Sequence, residues 1–141
     1  MKTRNYALLG IISPFIAYFF IAISIIQSPW FLWEKNALSD LGHATRSSVS
    51  PIFNFGLLLT GILIFTYAIL SLRNQAKWTG LCLTTSAFSL QLVGTFDEVY
   101  GFLHQVVSVL FFVSIGITSI IYAIEKKSYL GILAFIIGLF S

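Results

Sequence analysis

Charge is scarce in this chain. Eight lysines and arginines and five acids make up 9% of its 141 residues, where a soluble domain carries about 25%. So few charges do not leave material for a separate water-soluble domain. The net charge of +3 is small and dispersed, which excludes a nucleic-acid-binding patch. Cys82 is the one cysteine, so no internal disulfide forms. There is no His-Glu-x-x-His, no Gly-x-Ser-x-Gly and no phosphate-binding glycine loop. Internal repeats and low-complexity segments are also missing.

What is present is long apolar runs. Residues 6–26, 52–72, 78–93 and 102–124 contain no Asp, Glu, Lys or Arg. A hydrocarbon core of about 30 Å takes roughly 20 helical residues to cross. The expected fold is an all-α, polytopic transmembrane helix bundle forming a single domain over 1–141. Its helices are expected at about 6–26, 51–72, 78–95, 101–124 and 129–140. That is four full spans and a short or truncated fifth, the last only about 18 Å long. The first run is too long for a signal-peptide core and is expected to be retained.

Basic residues orient the chain. Lys2, Arg4, Arg73, Lys77, Lys126 and Lys127 fall on one side; Lys35 and Arg46 fall on the other. The positive-inside rule places the N-terminus in the cytoplasm, with the protein in the cell membrane. Outer loops are then expected at 27–50 and 94–101. Trp30, Trp33 and Trp78 sit where amphipathic rings prefer the interface.

Local signals refine the helices. Ser50-Pro51 is expected to open the second helix, with Ser50 as cap and Pro51 in the first turn. Pro14 should kink the first, with Ser13 or a neighbouring helix meeting the freed carbonyl. The third helix carries Thr79, Thr84, Thr85, Ser86, Ser89 and Gln91, so it is expected at the centre of the bundle, bonded across helices. Gly56, Gly61, Gly116 and Ser119 are candidate close contacts.

Titratable groups collect on the outer side. Glu34, Asp40, His43, Asp97, Glu98 and His104 all lie there. The candidate polar cluster is Ser39, Asp40, His43, Asn54, Asp97, Glu98, His104 and Ser108. His104 leads it, because an ionisable residue inside a membrane helix is a functional candidate by default. The bland reading is a neutral histidine bonded to Asn54, Gln91 or a backbone carbonyl as helix glue. Asp40 has a turn or cap as its bland reading, and Asn54 a packing amide. If the fourth helix started at Asp97, then Asp97, Gly101, His104 and Ser108 would share one face. The outer loop at 36–43 is expected to fold down onto Asn54 and His104, with Ser39 or Asp40 meeting the imidazole.

Three segments, in this order, resemble a known family: Asn36-Ala-Leu-Ser-Asp-Leu-Gly42, Ser50-Pro-Ile-Phe-Asn-Phe-Gly56 and Gly94-Thr-Phe-Asp-Glu-Val-Tyr-Gly-Phe-Leu-His104. Together they are similar to the membrane-protein family called domain of unknown function 998. The resemblance covers residues 6–124. It implies a six-helix membrane fold, of which this chain carries five runs, and it assigns no reaction.

Two functions compete. One is an accessory subunit whose outer polar pocket binds a ligand, a membrane lipid or a partner, the partner being another membrane subunit or a second copy. It needs no cofactor. The other is a membrane-embedded lipid hydrolase, with Asp40, His43, Asp97 and His104 holding a divalent metal such as zinc that lowers the pKa of a bound water. A transporter is disfavoured by the lack of a broken-helix pair.

Overall fold

A computed structural model describes residues 2–140, with side chains described for 6–139. The described residues form α-helices and short 3₁₀ turns, with no strand among them. The helices are α1 (Lys2–Ile26), α2 (Ser50–Leu70), α3 (Lys77–Thr95), α4 (Phe102–Lys126) and α5 (Tyr129–Phe140). Turns of 3₁₀ helix occupy Leu38–Gly42, Leu72–Asn74 and Glu98–Tyr100.

Three stretches are long and apolar enough to cross a membrane: Tyr6–Ile26, Ser50–Asn74 and Phe102–Lys126. The four full spans expected from sequence are therefore met by three helices on length and composition. The 19 residues of α3 reach about 28 Å, but its threonines, serines and glutamine dilute its apolarity. The 12 residues of α5 reach only about 18 Å. Large apolar side chains point outward along these helices, among them Phe15, Tyr18, Phe112 and Ile117. An outer surface of that kind belongs in lipid.

The helices form a row in chain order. Each packs chiefly on the next: α1 on α2, α2 on α3, α3 on α4 and α4 on α5. Central placement of α3 holds, since it touches two long helices where α1 rests on one. Small residues let the backbones approach. A Cβ on Gly56 would run into Phe20 of α1, and one on Gly61 would stand 2.6 Å from Gln91 Cγ and 3.0 Å from the Ala87 carbonyl of α3. Gly116 meets Phe135 of α5 in the same way.

Hydroxyl groups behave differently from expectation. Thr79, Ser86 and Ser89 are buried and Thr85 is exposed. Yet Thr84, Thr85, Ser86 and Ser89 donate to carbonyls four residues earlier in their own helix. Ser86 alone of these reaches another helix, 3.1 Å from the Thr118 hydroxyl of α4. A carbonyl one turn back is always within reach, so it outcompetes a partner that depends on helix register.

One boundary expectation is corrected. Ser50 is the first residue of α2 rather than its cap; Val49 takes the cap position and offers no side-chain acceptor. Pro51 does sit in the first turn, where its missing N–H costs nothing. Helix α1 runs on through Pro14, and the Ser13 hydroxyl donates to the Leu9 carbonyl.

Capping of α3 comes from elsewhere in the chain. Glu125, at the far end of α4, accepts from Thr79 N at 2.8 Å, Thr79 Oγ1 at 2.6 Å and Trp78 N at 3.1 Å. Its carboxylate thus meets free N–H groups of the first turn of α3, at the end where a helix dipole favours negative charge. Lys126 Nζ donates to the Gln75 carbonyl at 3.0 Å beside it.

Gly61→Leu should lower stability in detergent by about 1–3 kcal/mol through overpacking at the α2–α3 contact. Gly138→Ala, where an added Cβ meets nothing within 4 Å, should leave it unchanged. Thermal unfolding of the two variants checks this; equal midpoints would contradict the close approach.

Candidate functional site

The loop between α1 and α2 is a folded cap. Its base is apolar: Phe31, Leu41, Val49 and Phe53 form a buried cluster, with Ile21, Ile25, Leu38 and Leu57 packed against it. Leu41 is fully buried. Burying a leucine contributes about 1.5–3 kcal/mol, enough to hold down a segment that is otherwise polar. Gly42 then lies against α2. A Cβ there would stand 2.6 Å from Asn54 Oδ1 and 3.0 Å from the Phe53 ring, so the approach requires glycine.

Hydrogen bonds complete the cap. Asn54 Nδ2 donates to the Gly42 carbonyl at 2.9 Å. Asp40 Oδ2 accepts from Asn36 Nδ2 at 3.1 Å and from Ala37 N at 3.0 Å. Asn36 Oδ1 accepts from Leu32 N at 3.0 Å. The Ser39 hydroxyl donates to Glu98 Oε1 at 2.6 Å, joining this cap to the loop between α3 and α4. A short bond to a carboxylate is stronger than a neutral one. His43 stands apart, with Nδ1 3.3 Å from the Thr45 hydroxyl.

The loop between α3 and α4, at the same end, is built around Asp97 and Gly101. Asp97 is buried and its Oδ1 accepts from Val99 N at 2.8 Å, capping the turn Glu98–Tyr100. Gly101 has φ of 53°, a left-handed conformation that favours glycine, and α4 begins only at Phe102. Asp97 therefore does not share a regular helical face with His104 and Ser108.

His104 takes its partners locally. Its Nδ1 lies 2.7 Å from the carbonyl of Phe96, the residue that ends α3. A carbonyl only accepts, so Nδ1 carries the proton, and in the neutral ring Nε2 is the acceptor. Ser108 Oγ lies 3.4 Å from Nε2, placed to donate. His104 thus ties α4 to the end of α3, the glue role weighed above.

The loop at 36–43 does reach Asn54, through Gly42. It bonds to the α3–α4 loop through Ser39 and Glu98, while Asp40 is turned to Asn36 and Ala37 and forms no direct bond with His104. Asp40, His43, Asp97 and His104 each have a different set of partners. Among the described residues no group of three His, Cys, Asp or Glu is placed to hold a metal ion.

Sequence reasoning missed two features here: the apolar base under the cap, and the salt-free link from Ser39 to Glu98. The first had a signal in Phe31, Leu38, Leu41 and Val49, apolar residues that a solvated loop does not need.

Segments 36–42, 50–56 and 94–104 thus meet at one end of the row. The chain belongs to the DUF998 family. The model of that family, described as a protein of unknown function, matches residues 11–141. No curated protein and no solved structure matches the chain. The family match spans all three segments.

Ser39→Ala and Glu98→Gln should each cost about 1 kcal/mol, and together no more than one alone, because both remove the same bond. Asp40→Ala and His104→Ala should add within a few tenths of a kcal/mol, having no partner in common. Detergent unfolding of singles and doubles measures both; a strongly non-additive second pair would restore a direct Asp40–His104 link.

Proposed function

We propose that this protein is a four-span subunit of the cell membrane, N-terminus in the cytoplasm, whose outer cap is a preformed platform for another membrane subunit. The observation that carries this reading is how the cap spends its polar groups. Asn36, Ser39, Asp40, Asn54 and Glu98 bond to one another or to nearby backbone. A catalytic cluster leaves polar groups free to meet a substrate. Here they stiffen a surface, and a surface ordered in advance loses less entropy when a partner docks. Its exposed rim carries Trp30, Leu32 and Trp33 beside Glu34 and Lys35. Aromatic anchors bordered by charge are common at the centres of interfaces.

Support for the fourth span is the position of α3. Its buried Thr79, Ser86 and Ser89 pack between α2 and α4 and need not meet lipid, and the exposed Thr85 spends its hydroxyl on the Leu81 carbonyl. The basic asymmetry supports the orientation. The hydrolase reading draws no support, since its four donors are engaged separately.

A photo-crosslinking residue in place of Glu34 should give a discrete adduct of one mass in cells. The same residue in place of lipid-facing Phe15 should not. A cap that yields no adduct, or the same smear as position 15, would remove the platform.

Topology has its own test. In a Cys82→Ala background, Ser48→Cys should react with an impermeant thiol reagent in intact cells and Gln75→Cys should not. The reverse pattern would invert the orientation.

A further inference from the structure

We propose that the opposite end of the row, where Lys126 and Lys127 lie, binds an anionic phospholipid. The site is separate from the outer cap and does not depend on its role. Helix α5 lies close on α4: a Cβ on Gly131 would run into the Ser119 carbonyl and Ala123. Its contact with the rest of the row is slight. A cleft of about 330 Å³ is left between α5 and the other helices, lined by Tyr67 of α2, Leu83 of α3, Tyr122 of α4, and Leu130 and Ala134 of α5. Volumes of this order hold small ligands. Leucines and Ala134 make its apolar walls, and the hydroxyls of Tyr67, Thr118, Ser119 and Tyr122 also line it, which suits an acyl chain with its ester end near the hydroxyls.

Leu130 also borders a second, wider recess of about 690 Å³, which Lys126 and Lys127 line. Both lysines are exposed. Arg73 and Lys77 stand on the neighbouring α2–α3 connection, and both are exposed too. The acid of this end, Glu125, is held by Thr79 and the backbone of Trp78. Lys126 spends one N–H on the Gln75 carbonyl, which fixes the amine while leaving its other protons free. An apolar slot opening onto fixed positive charge at the membrane surface matches a lipid with an acyl chain and a negative headgroup. Phosphate on a lysine pair next to a helix crevice is how such lipids are recognised in general. A zwitterionic lipid gains nothing from the lysines, and a soluble phosphate gains nothing from the slot.

Native mass spectrometry of the detergent-purified chain, titrated with phosphatidylglycerol or with phosphatidylcholine of the same acyl chains, tests this. Phosphatidylglycerol should be retained preferentially by the unaltered protein, a comparison that needs no variant. Lys126→Gln with Lys127→Gln should weaken it by roughly 30-fold, about fivefold for each surface lysine. Ala134→Phe keeps every charge and fills the slot, and should abolish the preference as well. Equal retention of the two lipids, or no retention of either, overturns the site. So does a preference that Ala134→Phe leaves intact, which would mark general attraction of anionic lipid to a basic surface.

Discussion

Lipid offers the backbone no hydrogen bonds, and most of this structure follows from that single deficiency. Within the helices the answer is mostly local. Serines and threonines of α1, α3 and α4 turn back to carbonyls one turn earlier, while the buried Thr60 hydroxyl of α2 has no partner among the described residues. At helix ends the local answer fails, because the first N–H and last C=O groups have no partner in their own helix. There the chain supplies groups from other elements. Glu125 of α4 meets the start of α3, and His104 of α4 meets the carbonyl that ends it. Helix α3 is thereby fixed at both ends by α4. Two helices clamped in this way need few polar contacts between them, and among the described residues Ser86–Thr118 is the side-chain bond that crosses midway.

Legibility in the sequence tracks the range of the interaction. The long apolar runs were readable because a span is a property of about 20 consecutive residues. Gly56, Gly61 and Gly116 were readable as contacts because small residues are what close helix approach requires. The gathering of 36–42, Asn54 and 94–104 at one end was readable from topology, since alternate loops share a side. The pairings inside that gathering were not. Asp40 bonds to Asn36, four residues away, while Ser39 bonds to Glu98, 59 positions away. Nothing in residue type distinguishes which of two neighbouring acceptors looks inward. Glu125 was harder still. Its partner is a backbone amide 46 positions earlier, and backbone amides leave no trace in composition.

Glycine 42 shows how backbone approach and family pattern coincide. The cap cannot settle on α2 with a side chain at that position, because Asn54 and Phe53 already fill the space. Asn54 in turn spends its amide on the Gly42 carbonyl. The two residues specify each other, one by having no Cβ and the other by donating a bond. That mutual fit ties a polar loop segment to a residue on the next helix. It requires no ligand and no reaction.

The two ends of the row solve different problems with the same materials. At the end that holds the cap, acids and amides are paired above Leu41 and Phe53, so charge is consumed in making a surface rigid. At the other end, one acid is consumed by α3 and the lysines remain exposed around a cleft. An end whose charge is neutralised internally has shape to offer a partner, and an end whose charge is left over has potential to offer. Electrostatic attraction near a membrane falls off within a Debye length of about 8 Å, so the leftover charge acts only on what lies at the bilayer surface. The contrast between the ends follows from where the acids sit: Asp40, Asp97 and Glu98 at one end, and Glu125 at the other, turned against a helix that would otherwise begin uncapped.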